Sequence, residues 1–431
     1  MIDVHRFSAR RRWRTGMLLC LIACACSGLT EVSAPDLVQL DALANAAGAE
    51  ALRVGSLGGF ALVFAGSDQG QITTSGAMAD EFFNASSGSV GLAVADIRIV
   101  PDPSRSYPYP AMQRSRLDAR RAIAALEQYA PARRAQIGEQ FALAAYTELF
   151  LAENLCSGIP LGEIVNGSPV YGQPLPTEEL YGRALADFDS AIVYAADSAR
   201  LLTMARVGRG RTQLDRGQFA DAAATVAAVP TAYAYATQYS PAQPNGVYVI
   251  INTQRWLTVS DLEGGNGLDF RGARDPRVPT AFVGKGIDGL TDVYTFTRYA
   301  NVSSPIVLAS GVEARLIEAE AFLRAGDAAS ALQRLNVLRA TTPGLAPLAP
   351  QPTTAAQVDQ LFRERAFWLF ATGHRHGDLR RLVRQYGRPS ASVFPTGAYK
   401  NGLTYGDDVT FTPDVAQASN PNFTKCASRG A

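Results

Sequence analysis

The sequence predicts a mostly α-helical chain in which paired helices form a scaffold interrupted by loop-rich, partly β insertions. Three observations carry that expectation. Apolar residues recur at helical spacing, as in Val358, Leu361, Phe362, Ala366, Leu369 and Phe370, which line one broad face of a helix. Ala, Leu and Arg, all good helix formers, are frequent. The 24 Pro and 38 Gly punctuate the chain into many helices separated by loops, and the least helical stretches lie at about 68–110 and 231–305.

A chain of 431 residues that is 47% hydrophobic can bury a large core. Residues 1–23 carry five Arg and one Asp; without them 35 basic and 38 acidic groups remain, a net of −3. A nucleic-acid binder usually shows a basic excess, so that class is disfavoured.

The N-terminus points to export. Arg6, Arg10, Arg11, Arg12 and Arg14 precede a short apolar run at 17–23, too short to span a bilayer. Leu21-Ile22-Ala23-Cys24 resembles a lipobox, in which the cysteine is lipidated and becomes the new N-terminus. Cys26 is the alternative, and an ordinary signal peptide the plainer reading. Ala25, being neither Asp nor another acid, agrees with sorting to the outer membrane. No later run reaches the ~18 apolar residues of a membrane span. Residues 1–23 are therefore read as a lipoprotein signal peptide, 24–34 as a tether and 35–426 as one domain. Outside this region only Cys156 and Cys426 remain. An oxidising compartment favours their union in a disulfide.

Along the chain, residues 36–66 read as helix with Leu37, Leu40, Leu43, Ala47 and Leu52 on its apolar face. Residues 114–155 read as two long helices broken near Pro131, and 174–194 as another, begun by Thr177 and Glu178-Glu179. Residues 205–230 and 312–343 look like tetratricopeptide helix pairs. In the second, Ala319, Phe322, Gly326, Ala331, Leu335, Leu338 and Pro343 fill the small, aromatic and turn positions of that unit; small residues let paired helices approach. The two pairs are not in tandem. Between them, residues 246–251 read as strand.

Residues 354–387 read as two helices joined by a corner. Thr354 and Gln357 form a capping box, Gly373 suits a left-handed C-cap, and Asp378 caps the second helix, which Gly387 ends. Glu364-Arg365, Gly373-His374-Arg375 and Asp378-Leu379-Arg380-Arg381 resemble the C-terminal signature of the SusD/RagB family of nutrient-binding outer-membrane lipoproteins. Trp368, Thr372 and His376-Gly377 depart from its usual residues. Further likenesses follow in the same order: Ser75-Gly76 with Asp80-Glu81-Phe82, Gly158-Ile159-Pro160-Leu161, Asp275-Pro276-Arg277, and Leu316-Ile317 with Ala319-Glu320-Ala321. The resemblance implies a SusD-like fold, a TonB-dependent transporter as partner, and an oligosaccharide or peptide as ligand. A tetratricopeptide-type envelope scaffold that binds other proteins is the alternative.

No chemistry of catalysis stands out. The sequence holds no Gly-x-Ser-x-Gly elbow and no phosphate-cradling Gly-Lys-Ser/Thr, and beyond position 5 its histidines are His374 and His376. His374, His376 and Asp378 offer metal-ligand types, but Arg375, Arg380 and Arg381 crowd them, so pairing of these arginines with Glu364, Asp378 and backbone carbonyls is expected instead. Asp80-Glu81 is a carboxylate pair of the kind a glycosidase uses. No enzyme, metal or cofactor is expected. The candidate ligand contacts are aromatic, because a sugar stacks its C–H face on such rings: Trp256, Phe270, Tyr294, Phe296 and Tyr299, with Tyr107 and Tyr109.

Cys24→Ser is expected to abolish lipid labelling and to leave the protein unprocessed or released from membranes. Metabolic labelling with a radioactive fatty acid, followed by membrane fractionation, checks it; unchanged label and membrane association in the variant refute the anchor.

Overall fold

The computed structural model of the chain describes residues 43–66, 69–87, 90–101, 106–165, 168–413 and 420–431. The signal-peptide and tether readings, Cys24 included, lie outside the described residues. Helices dominate, in the order α1 (Ala46–Ala65), α2 (Gln71–Met78), α3 (Val90–Asp96), α4 (Tyr109–Tyr129), α5 (Arg134–Asn154), α6 (Thr177–Tyr194), α7 (Ala199–Asp215), α8 (Phe219–Val226), α9 (Gly246–Tyr248), α10 (Gly311–Arg324), α11 (Ala328–Arg339), α12 (Thr354–Trp368) and α13 (Arg375–Tyr386). The strands are short: β1 (Phe82–Asn84), β2 (Ile159–Pro160), β3 (Glu163–Val165), β4 (Ser168–Val170), β5 (Pro174–Leu175), β6 (Ala234–Thr237), β7 (Leu257–Val259), β8 (Thr280–Lys285), β9 (Asp292–Phe296) and β10 (Ile306–Ser310). They form antiparallel pairs, β1 with β7, β2 with β5, β3 with β4, β6 with β10 and β8 with β9.

Local chemistry sets the helix ends. The Asn45 side chain accepts from Ala47 N and Gly48 N, Ser310 from Glu313 N and Asp327 from Ser330 N, each satisfying an amide that has no partner within the helix. Two expected caps are corrected. Thr353, not Thr354, caps α12, accepting from Ala356 N at 3.2 Å, while Gln357 donates to the Gln351 carbonyl. Asp378 caps nothing: α13 already starts at Arg375, and His374 precedes it without a side-chain cap. Gly373 and Gly387 do adopt left-handed backbone, at φ 77° and 65°.

Consecutive helices pack on one another from α4 through α8, and α1 lies against α4. The two tetratricopeptide-like pairs, α7–α8 and α10–α11, turn at Gly217 (φ 74°) and Gly326 (φ 84°), a conformation that disfavours residues with a Cβ. Distant in sequence, they stack in space, because α10 packs on both α7 and α8. Gly210 makes the approach close: a Cβ there would lie 2.5 Å from Val226 and 3.6 Å from Ile317. Where residues 246–251 were expected to form a strand, they form helical turns, α9 followed by a π turn at Val249–Thr253. Asn45-type capping recurs here, with Asn245 accepting from Tyr248 N, and so short an apolar run fits either structure.

The main core runs between α1 and α5, where Phe60, Phe64 and Phe150 stack with centroids 5.6–6.3 Å apart. By length and composition α1 is apolar enough to cross a membrane, a match the sequence reading did not anticipate. It nevertheless seats Phe60 and Phe64 in this core and pairs Arg53 with Glu139 of α5 at 2.6 Å, so it serves as a bundle helix. Phe411 and the C-terminal tail close over the end of α5. Cys156 N donates to the Phe411 carbonyl, Ser157 pairs with Ser428, and Cys156 and Cys426 form a disulfide with their Cα atoms 5.9 Å apart.

That bridge spans 270 residues, so breaking it frees a long loop in the unfolded chain. Cys426→Ser is expected to lower stability by roughly 2–5 kcal/mol, read by denaturant melts. Thiol reagent should label neither Cys156 nor Cys426 in denatured, unreduced protein; labelling of both removes the bridge.

Candidate ligand-binding surface

The charged corner of residues 363–381 is structural. Arg365 donates Nε and Nη2 to the two Asp378 oxygens at 2.9 and 2.8 Å, and Arg381 Nη2 reaches the same carboxylate at 2.8 Å. Arg381 also pairs with Glu320 of α10, which accepts from Tyr386 at 2.7 Å. Burial alone would raise the Asp378 carboxyl, but Arg365 and Arg381 outweigh it and hold it well below the usual carboxylate range. Arg277 bridges Asp275 and Glu364, Arg380 donates to the Ala152 and Glu153 carbonyls, and Arg375 grips Asp80 at 2.6 and 2.8 Å.

The histidines belong to the same lattice. His374 Nε2 lies 2.8 Å from Arg211 and 3.1 Å from Glu313. His376 is held between Asn154 and the Val409 carbonyl. Burial, with Arg380 nearby, pushes His376 down to about 3, so its ring is neutral. No group of three His, Cys, Asp or Glu side chains suited to a metal ion occurs among the described residues. Asp80 and Glu81 are both about 1% exposed, which puts this carboxylate pair out of a substrate's reach.

Five of the expected aromatic contacts are core residues in this structure. Phe270 packs between Phe367 and Phe370, and Phe296 between Phe370 and Tyr299. Tyr299 donates to the Ala371 carbonyl at 2.8 Å, Tyr107 to Gln71 at 2.6 Å, and Tyr109 to the Pro160 carbonyl. Each ring is buried, so none offers a stacking face to solvent. Trp256 and Tyr294 remain half-buried.

Around Tyr294 the structure assembles an exposed surface. Tyr294 sits on β9 directly opposite Phe282 of β8, with ring centroids 5.5 Å apart. Phe282 is 57% exposed, and sequence reasoning omitted it. The Arg271 guanidinium lies over Tyr294, 4.5 Å from the ring centre. Tyr294 N donates to Thr258 Oγ1 on β7 at 2.8 Å, and Trp256 begins that same segment. The hairpin turn is rigid: Asp288 accepts from Leu290 N, Thr291 N and Thr291 Oγ1 and pairs with Lys400 at 3.0 Å. Burial opposes that charge, but these donors hold Asp288 down to about 2. Ile287 and Leu290, both more than half exposed, flank the turn. Tyr294 and Phe296 lie two residues apart on β9, so the strand's two-residue period puts them on one face and does not separate them; they differ in their neighbours, Phe370 for Phe296 and exposed Phe282 for Tyr294, and the sequence carries no signal of that register.

No family model matches the sequence, and no curated protein matches it. The fold is similar to solved structures. A SusD superfamily protein from Parabacteroides distasonis aligns with a TM-score of 0.67 at 15% identity, covering 88% of this chain and 98% of that one. A SusD-like carbohydrate-binding protein from Bacteroides vulgatus aligns at 0.59 and 15%, over 78% and 83%. A laminarin-binding SusD-like protein aligns at 0.64 and 16%, over 89% and 99%. The chain has the SusD-like fold, mostly helical with tetratricopeptide-like pairs.

One buried acid in this region gives a pH test. Burial pushes Glu81 up to about 8, against a single hydrogen bond from Ala371 N. A carboxyl raised in the fold binds a proton that the unfolded chain has lost, so its contribution to stability falls as pH rises from about 4.5 to 8. Glu81→Gln, which keeps an acceptor for Ala371, should flatten that slope and exceed the parent's stability at pH 8 by on the order of 2–4 kcal/mol. Urea melts at pH 5 and pH 8 check this; equal slopes for both proteins place the proton elsewhere.

Proposed function

We propose that this chain, which has the SusD-like fold, is a lipid-anchored outer-membrane protein that binds an oligosaccharide and passes it to a TonB-dependent transporter. The observation that carries the reading is the ring pair of Phe282 and Tyr294, with half-buried Trp256 just before the neighbouring strand β7, on the non-helical insertion of that fold. Flat apolar rings beside polar donors suit the C–H face and hydroxyl rim of a sugar. The laminarin-binding protein of similar fold supports a glycan as ligand. The lipobox-like run ending at Cys24 supports the anchor, and the transporter follows from the resemblance of the charged corner. No enzymatic role is proposed: the structures of similar fold include binding proteins, and the Asp80-Glu81 carboxylates and both histidines lie buried beneath the surface.

A tetratricopeptide-type scaffold has less support. The two helix pairs stack against each other and against the bundle, rather than extending as a row that presents a free groove.

The test is a glycan-array screen of the full-length protein in detergent, followed by titration of the best ligand. Tyr294→Ala and Trp256→Ala should each weaken binding about tenfold, the worth of one good stacking contact, with small changes in melting temperature. Phe270→Ala should behave oppositely, losing roughly 3–5 kcal/mol of stability as a core ring. Unchanged glycan affinity in both surface variants sinks the proposed site.

A further inference from the structure

The hairpin surface carries two guanidinium groups that no carboxylate among the described residues meets within ion-pairing distance. Several of its cationic side chains are paired: Arg277 with Asp275 and Glu364, Arg363 with Asp269, Lys285 with Asp292 and Lys400 with Asp288. Arg255 and Arg271 are different. Among the described residues neither makes an ion pair within 4 Å or donates a side-chain hydrogen bond, and the buried Nε of Arg271 has no acceptor. Glu263 is near enough to feel Arg271. Burial pushes that carboxyl up to about 7, so near neutral pH it is partly protonated and offsets the guanidinium incompletely.

One guanidinium is brought to the aromatic pair and the other to the strand beside it. Arg271 lies over Tyr294 at 4.5 Å. Arg255, exposed and held in left-handed backbone at φ 54°, lays its guanidinium along β8 at Gly284. A Cβ at Gly284 would come within 2.8 Å of Arg255 Nη1, and the glycine itself has φ 122°, a conformation open to glycine and few other residues. Gly284 pairs with Val293, the neighbour of Tyr294, across a bulge that follows Phe282. One guanidinium thus lies on a ring of the pair and the other at the next rung of the same hairpin.

We propose that the oligosaccharide bound at this hairpin is acidic, a uronate-bearing glycan whose rings stack on Phe282 and Tyr294 and whose carboxylates are taken by Arg255 and Arg271. The proposal rests on the reading of this surface as a glycan site and adds the ligand's class. The chemistry fits at each point. A uronate presents an apolar ring face together with a planar carboxylate, which is ionised at neutral pH. A guanidinium presents parallel N–H donors that match a carboxylate, and no side chain or carbonyl among the described residues takes those of Arg271. A neutral glycan would leave both charges unmatched.

The test uses the full-length protein in detergent and compares oligogalacturonate with its carboxyl-reduced, neutral counterpart, so the discrimination does not depend on any variant folding. Oligomannuronate, hyaluronan fragments and neutral laminari- and xylo-oligosaccharides complete the panel. The expected result is a preference of tenfold or more, roughly, for a uronate over its neutral counterpart. That preference should shrink as salt rises. In the Arg255→Gln/Arg271→Gln protein the preference should collapse while the melting temperature and the weak binding of neutral sugars hold. Equal binding of acidic and neutral forms by the parent protein overturns the acidic class and leaves glycan capture standing. So does a uronate preference that survives the double substitution, which places carboxylate recognition elsewhere. Binding of no glycan in the panel overturns the glycan reading itself, and this inference with it.

Discussion

The structure depends on one carboxylate, Asp378, held by two buried guanidinium groups. Removing ions from water costs several kcal/mol each, and the loss is recovered only when geometry and hydrogen bonding are nearly complete. Here both Asp378 oxygens are met, while Arg365 Nη1 and Arg381 Nε make no hydrogen bond. Arg365 forms a two-pronged pair with Asp378, and Arg381 bridges Asp378 to Glu320. These contacts fix α12, α13 and α10 in register, since a shift of one helical residue would strand a charge in the interior. The same logic spreads outward. Arg211 joins α7 to Glu153 of α5 and to His374, and Arg380 satisfies the carbonyls at the end of α5. An apolar core tolerates sliding; a lattice of paired ions does not, so it specifies which helix meets which.

The lattice also positions the parts that are not helical. Arg375 holds Asp80, which in turn accepts from Leu268 N at 2.9 Å. Ser260 N donates to the Glu81 carbonyl, and β1 pairs with β7. Two irregular stretches, far apart in sequence, therefore meet over the charged corner. On the other side Arg277 anchors the start of the β8–β9 segment to Glu364 of α12. The exposed hairpin is thereby tied to the most rigid part of the molecule without being part of it. A ligand platform gains from that arrangement, because a preorganised surface loses less entropy on binding than a mobile loop.

Much of this was legible in the sequence, for reasons that explain what was not. Helices with a continuous apolar stripe, such as α12 and α5, announce themselves through spacing. The helix pairs were readable from Gly217 and Gly326, because a left-handed turn narrows the choice of residue. The disulfide was readable by counting cysteines and assigning a compartment. Residues 246–251 were misread because a short run of Val, Tyr and Ile has no period that separates strand from buried helical turn; Asn245 decided it by capping. Asp378 was misread as a cap since Asp is common there, and the sequence does not reveal that two arginines converge on it from different helices. The aromatic residues failed for a similar reason. Tyr294 and Phe296 look alike in a list and share one side of β9, yet Phe296, at the strand's end, packs on Phe370 while Tyr294 meets the exposed Phe282.

The division between paired and unpaired arginine separates stability from recognition in this chain. In the corner, Arg365, Arg375 and Arg381 are each buried and matched to carboxylates of the protein; replacing one leaves its partner charged and dry, so their role is to hold the fold. At the hairpin, Arg255 is exposed and Arg271 half-buried, and neither has a carboxylate within ion-pairing distance among the described residues. Substituting either breaks no ion pair, so the cost in stability is expected to be smaller than in the corner. A residue that the fold does not need, held by unusual backbone at φ 54° or stacked on a tyrosine, is poorly explained by packing. It is well explained by a partner that comes from outside, and the same physical rule that makes the corner rigid, that a guanidinium seeks a carboxylate, then specifies what that partner carries.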